Sequence, residues 1–169
     1  GVLEGTLVVS GGILTGRLDG VYVYGGRAEI NGGTISGGTC GVDVGEATVT
    51  ITGGVINGDS TDVDIYGGTV VISGGTFPGG ISICYKTPLN AILAQGAAYW
   101  QDGKQLTVAD DAIEITGGDV VVKPACVHNW VAATCVAPKP CSVCGTTAGE
   151  ALGHSYKGVV TAPTCTDGG

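Results

Sequence analysis

Aliphatic residues recur along the first half of the chain at two superimposed periods. Over short distances they alternate with polar or small residues, and over longer distances the whole pattern repeats every 21 residues. Aligned at that spacing, the apolar columns are Val21, Val42 and Val63; Val2, Val23, Val44 and Ile65; Leu7, Ala28, Val49 and Val70; Val9, Ile30, Ile51 and Ile72; and Leu14, Ile35, Ile56 and Phe77. Period-two alternation predicts strands with one inward face. Three such short strands per unit, separated by glycine turns, match one coil of a parallel β-helix, in which each coil pairs with the next at about 4.8 Å and sets like residues on like. The predicted fold is therefore all-β, a right-handed parallel solenoid of about four to five coils over residues 1–85. Each inward Val or Ile contributes about 1.5–3 kcal/mol, but only once a neighbouring coil covers it. The first coil is already under way at Gly1, an expectation of further sequence upstream.

A phrase marks each coil: "VVSGGILTG" at Val8–Gly16, "EINGGTISG" at Glu29–Gly37, "TITGGVING" at Thr50–Gly58 and "VISGGTFPG" at Val71–Gly79. The Gly-Gly pairs are expected where the coil bends so sharply that a Cβ would clash or a positive φ is required, with Ser10, Asn31, Thr52 and Ser73 hydrogen-bonding at the bend.

The period breaks at "KTPLNAILAQG". Thr87 as N-cap, Pro88 in the first turn, Leu89, Ile92 and Leu93 on one face and Gly96 at the end predict a short amphipathic helix that lids the last coil. "AAYWQDGKQLTV" follows as a hairpin turning at Asp102-Gly103. "IEITGGDVVVK" repeats the coil phrase and predicts strands rejoining the solenoid edge. Residues 86–123 thus form a cap. An uncovered coil end would favour end-to-end self-association.

Composition sharpens this picture. The 33 glycines sit at fixed offsets between β-branched runs, so they are turn residues, not low complexity. A net charge of -8 argues against nucleic-acid partners. No apolar run is long enough for membrane insertion as a spanning helix.

From residue 124 the alternation stops, and five of the seven cysteines and both histidines follow. In "CVHNWVAATCVAPKPCSVCGTTAGEALGHSYKGVVTAPTC", His128, Trp130 and Cys135 are echoed by His154, Tyr156 and Cys165, two copies of one unit. The first copy holds His128, Cys135, Cys141 and Cys144, the last two in a Cys-x-x-Cys-Gly knuckle whose spacing lets two thiolates bind one zinc ion. Cys126 could replace His128, or His154 could complete the set. The competing reading is a disulfide framework. Residues 124–169 are accordingly read as a zinc-ribbon-like module, truncated at the C-terminus because the second copy lacks its cysteine pair. A redox role for Cys141 and Cys144 lacks the βαβ context it needs. Cys40 and Cys84, about two coils apart, are read as structural thiols.

These three segments together resemble secreted or cell-wall-attached β-solenoid surface proteins of anaerobic Gram-positive bacteria: the "GGTIxG" coil phrase, "GGISI" followed by "ILAQGAAYWQDGKQL", and the "HNWVAATC…CSVCG…LGHSY" pattern. The resemblance implies an extracellular or cell-surface location, a scaffold or adhesin role without catalysis, and glycans or other surface proteins as partners. The alternative is a carbohydrate-active β-helix enzyme of pectate lyase-like or glycoside hydrolase-like type, or its accessory module. For such chemistry the candidates are Asp43 and Asp64 in one column, with Asp59 and Asp62 nearby, but neither Arg17 nor Arg27 aligns with them. The aspartates are read instead as solvated surface charge or a weak calcium site.

Overall fold

The computed structural model describes residues 4–83 and 87–155. Each coil holds one long and one short strand: β1 (Thr6–Gly16) and β2 (Asp19–Val23), β3 (Arg27–Gly37) and β4 (Cys40–Val44), β5 (Thr48–Gly58) and β6 (Thr61–Ile65), then β7 (Thr69–Phe77) and β8 (Gly80–Ser82). The long strands pair in parallel in the order β1-β3-β5-β7, and the short ones in the order β2-β4-β6. The chain is a β-solenoid. Partners lie 21 residues apart: Val9 faces Ile30, Ile30 faces Ile51 and Ile51 faces Ile72, while Val23 faces Val44 and Val44 faces Ile65. Ile30, Ile51, Ile72, Val23 and Val44 have no solvent exposure. Val2 of the same column lies outside the described residues.

Two of the three expected strands per coil run together as one long strand, because the ladder continues through the Gly-Gly bend as a bulge. The register slips there: Ser10 pairs with Gly32, Asn31 with Gly53 and Thr52 with Gly74. The two glycines meet different constraints. A Cβ on Gly53 would stand 2.7 Å from the carbonyl oxygen of Asn31 on the preceding coil, whereas Gly54 has φ +95°, a conformation that disfavours side chains. Beside the bend, Thr52 Oγ1 lies 2.8 Å from Asn31 Oδ1 one coil away.

The predicted lid is present but shorter and differently capped. Only Leu89–Ile92 is helical (α1), a single turn whose N-cap is Pro88 with no side-chain cap bond, so Thr87 does not serve as the cap. Leu93 is already extended and bridges in parallel to Ile72, with the Ala94 N–H donating to the Ile72 carbonyl at 2.8 Å. The edge of β7 therefore captures the chain before a second turn can form. Gly96, at φ +78°, serves the turn from Ala94 to Ala97 and not a helix end. Leu89 and Ile92 are buried in the solenoid core, and the Tyr99 hydroxyl donates to the Leu89 carbonyl at 2.8 Å.

Asp102 and Gly103, both at positive φ, turn the hairpin of β9 (Ala97–Gln101) and β10 (Lys104–Gln105). The strands that rejoin the edge run antiparallel to the coils. β11 (Glu114–Thr116) pairs with β8, and β12 (Val120–Pro124) pairs with the end of β7 on one side and β9 on the other. Phe77, the last residue of its column, therefore faces Val120 where the next coil would supply an aliphatic, and both are fully buried. Contacts divide the chain into Gly1–Val127 and His128–Gly169, so the cap belongs with the solenoid. Among the described residues no helix is long and apolar enough to cross a membrane.

The register makes a direct prediction. Ile51→Ala should cost about 2–5 kcal/mol by urea denaturation, and Ile51→Asp should abolish the folded solenoid, because an unpaired carboxylate has no solvation in that column. Thr48→Asp, on the exposed side of the same strand, should shift stability by no more than about 0.5 kcal/mol.

Candidate metal centre

The chain leaves β12 held by two backbone contacts: the Ala125 N–H donates to the Gly96 carbonyl at 2.8 Å and the Cys126 N–H to Gln105 Oε1 at 2.6 Å. Two residues further on, His128 stacks on Trp130, ring centroids 4.6 Å apart. Trp130 bridges antiparallel to Cys141, and the Val131 N–H donates to the Pro140 carbonyl at 2.9 Å, so the His128 segment lies along the knuckle.

The knuckle is itself a tight turn at the end of the hairpin formed by β13 (Lys139–Pro140) and β14 (Thr147–Ala148). The Gly145 N–H donates to the Cys141 carbonyl at 2.9 Å, with Gly145 at φ +70°, and the Val143 N–H points to Cys141 Sγ at 3.4 Å. N–H groups aimed at a sulfur favour its thiolate form.

Cys126, His128, Cys141 and Cys144 bring one ligand atom each to within 4.8 Å of one another, a group that could hold a metal ion. Cys144 Sγ lies 3.4 Å from His128 Nδ1. A tetrahedral site with arms of about 2.3 Å to sulfur and 2.0–2.1 Å to nitrogen needs a sulfur–nitrogen separation of about 3.5 Å. The donor set fits a metal in spacing as well as in kind. Burial pushes the Cys141 thiol up, but the hydrogen bond from the His128 ring and those from backbone groups outweigh it and bring the thiol down to about 5. Hydrogen bonding to Cys141 in turn raises His128 above its usual value, against the opposing effect of desolvation.

The sequence-predicted set is thus changed in one member. Cys135 is exposed and outside the group, and Cys126, foreseen as a substitute for His128, joins it while His128 stays. The cause is a local turn: Thr134 Oγ1 accepts from the N–H groups of Val136 and Ala137, holding Cys135 at a loop tip. His154 is also exposed and outside the group. Gln105, which steadies Cys126, carries no sequence signal, since it is distant in the chain. Cys84, Tyr156 and Cys165 lie outside the described residues.

Asp43, Asp62 and Asp64 are not solvated decoration, whereas Asp59 is exposed as expected of surface charge. Asp43 and Asp64 pair across β4 and β6 and are only 9% and 5% exposed. Asp62 ties coils together, accepting from the Gly58 N–H at 3.2 Å and the Ser82 N–H at 3.0 Å. Burial, then the charges of Asp19 and Asp64, push the Asp43 carboxyl up to about 6.

No family model, curated protein or solved structure gives a significant match to the chain.

Two outcomes follow. In titrations with cobalt(II), whose thiolate bands report ligation, Cys126→Ser should weaken binding at least about tenfold and Cys135→Ser should leave it unchanged. The Asp43 carboxyl holds its proton to about pH 6 in the fold but releases it near 4 when unfolded, so stability is greater at low pH and is lost as pH rises through that window. Urea midpoints of Asp43→Asn between pH 4 and pH 7 should lack this component of the wild-type slope.

Proposed function

We propose that the chain is a non-catalytic part of an extracellular surface protein, a β-solenoid scaffold or adhesin followed by a zinc-stabilised Cys/His module, with glycans or other surface proteins as its partners. The observation that carries this reading is the donor set of Cys126, His128, Cys141 and Cys144. Three sulfurs and one imidazole are the soft, tetrahedral set that suits zinc, and four protein ligands leave no position open for a substrate or an activated water. A closed site of this kind stabilises folding. Residues 128–155 contribute only one pair of two-residue strands, a single bridge from Trp130 to Cys141 and little apolar burial, so a cross-link must supply much of their stability. The filled aliphatic interior of the solenoid leaves its outer faces for recognition, and the resemblance of its motifs to those of Gram-positive surface proteins is what supports the location.

Protein purified without added metal should contain about one zinc per chain, and a chelator should unfold the module while the solenoid's β-signal persists. Antibody should reach the full-length protein on intact cells. Absence of zinc together with few reactive thiols in the denatured protein would replace the metal site by disulfides, and staining confined to permeabilised cells would refute the surface location.

A further inference from the structure

One lateral cleft of the solenoid combines aromatic faces with negative charge and has no base to offset it. On the outer face of the short strands, Asp19, Tyr22, Tyr24, Asp43, Gly45 and Tyr66 line a cavity of about 390 Å³, within the range of small-molecule sites. Glycine at position 45 shapes it. A Cβ there would stand 2.8 Å from Tyr24 Cδ2, so the Tyr24 ring is seated on the Gly45 backbone of the next coil. Tyr24 is nevertheless 50% exposed and lines the cavity, so the seated ring is a fixed aromatic surface. Tyr22 stands beside it, ring centroids 6.4 Å apart and planes tilted by 40°, and Tyr66 is 59% exposed. The faces of such rings carry partial negative charge.

The charge beneath has the same sign. Asp43 aligns with Tyr22 on the preceding coil and with Asp64 on the next. Asp43 and Asp64 are 9% and 5% exposed, and one oxygen of each, Oδ1, is sealed from solvent with no hydrogen-bond partner among the described residues. The titratable groups that share this face are Asp19 and Tyr22 on β2, Cys40 on β4, whose Sγ lies 3.8 Å from Asp64 Oδ2, and Tyr24 and Tyr66. No lysine, arginine or histidine lines the cavity. Burial, then the charges of Asp19 and Asp64, hold the Asp43 carboxyl up at about 6, the response of a carboxyl to negative charges that no cation offsets.

These features select a ligand by exclusion. An anion would meet repulsion alone. A calcium ion needs several oxygens in direct contact at about 2.3–2.6 Å, which the sealed Oδ1 atoms cannot offer, and the aspartates do not converge as a ligand group among the described residues. A primary ammonium or a guanidinium brings N–H donors that must find acceptors, whereas the sealed oxygens supply charge without accepting. A quaternary ammonium has no N–H to satisfy. It gains from charge acting through space and from contact with tyrosine faces.

We infer that the cleft of Tyr22, Tyr24 and Tyr66 binds a quaternary ammonium group, a choline-like cation, against the tyrosine faces, with Asp19, Asp43 and Asp64 supplying negative charge through space. The inference goes beyond the surface reading above and does not depend on it, since the cleft belongs to the solenoid alone.

The test is calorimetric titration of the 169-residue chain. Choline should bind saturably, ethanolamine at least about tenfold more weakly, and dimethylbutanol, in which carbon replaces the quaternary nitrogen of choline, not detectably. Tyr22→Leu and Tyr24→Leu keep the bulk and remove the ring face; each should weaken choline binding by about fivefold or more at unchanged urea midpoint, and Tyr24→Phe should retain it. Choline affinity should rise from about pH 5 to about pH 7, because the bound cation favours the ionised form of Asp43, and Asp43→Asn should flatten that rise. Phosphocholine and phosphatidylcholine vesicles separate a free cation from a lipid headgroup: the acidic cleft should take phosphocholine more weakly than choline, and the vesicles should not sediment the protein. No saturable choline binding, dimethylbutanol or ethanolamine binding as tightly as choline, or choline binding unchanged in the combined Tyr22→Leu and Tyr24→Leu protein would overturn the inference. Protein that sediments with vesicles and ignores free choline would overturn it as well, by assigning recognition to a lipid surface. The comparison of choline with dimethylbutanol uses the wild-type chain, so it decides the matter even where a leucine variant is destabilised.

Discussion

Everything in this protein depends on aliphatic side chains stacking on their own kind along parallel ladders 21 residues apart. Ile30, Ile51 and Ile72 each bury themselves only because the next coil presents a matching residue at the same height. Because side chains alternate at period two, a slip of one residue would turn every column to solvent, so the register is strongly specified. The same stacking explains the bends. A coil can follow its neighbour at ladder spacing only where no Cβ obstructs the carbonyl beneath, which is why Gly32, Gly53 and Gly74 each face a backbone oxygen of the preceding coil and the second glycine of each pair supplies the positive φ.

A stack of this kind has no intrinsic end, since each edge offers unpaired backbone groups to another strand. The chain ends it by changing direction. Leu93 and Ala94 occupy the edge at Ile72 in parallel, and β12 covers Gly75–Phe77 antiparallel, presenting Val120 to Phe77. The antiparallel strand satisfies the ladder without continuing the coil pattern, and its other edge is taken by β9. Stability and termination are thus met by one segment, and the lateral faces remain for other uses.

The two chemically distinctive places arise by different routes. At the Cys/His group, a local knuckle sets Cys141 and Cys144, and strand-like contacts then bring His128 alongside. At the outer face of the short strands, the repeat itself does the work: identical spacing lines up Tyr24, Gly45 and Tyr66, and aspartates come together without being neighbours in the chain. Electrostatic crowding there comes from Asp19 on the neighbouring coil and from Asp64 stacked in the same column, and it raises Asp43 beyond the effect of burial.

Period and alternation were enough to read the solenoid, its columns and its Gly-Gly bends from the residues alone, because in a repeat the contacts are between equivalent positions and the spacing is itself the contact map. The Asp102-Gly103 turn and the knuckle were legible for a related reason: their geometry is decided within a few residues. What lay between sequence-distant, non-equivalent residues was not legible. The helix stops after Ile92 because the β7 edge competes for Leu93, and the returning strands pair antiparallel because they meet that edge from the opposite direction. Cys126 replaces Cys135 in the metal group because the Thr134 turn holds Cys135 away, while Gln105, far back in the chain, anchors Cys126. Asp43 and Asp64 are charged residues in a column, which reads as surface. Only the tertiary packing made them buried, each with one oxygen that has no hydrogen-bond partner among the described residues.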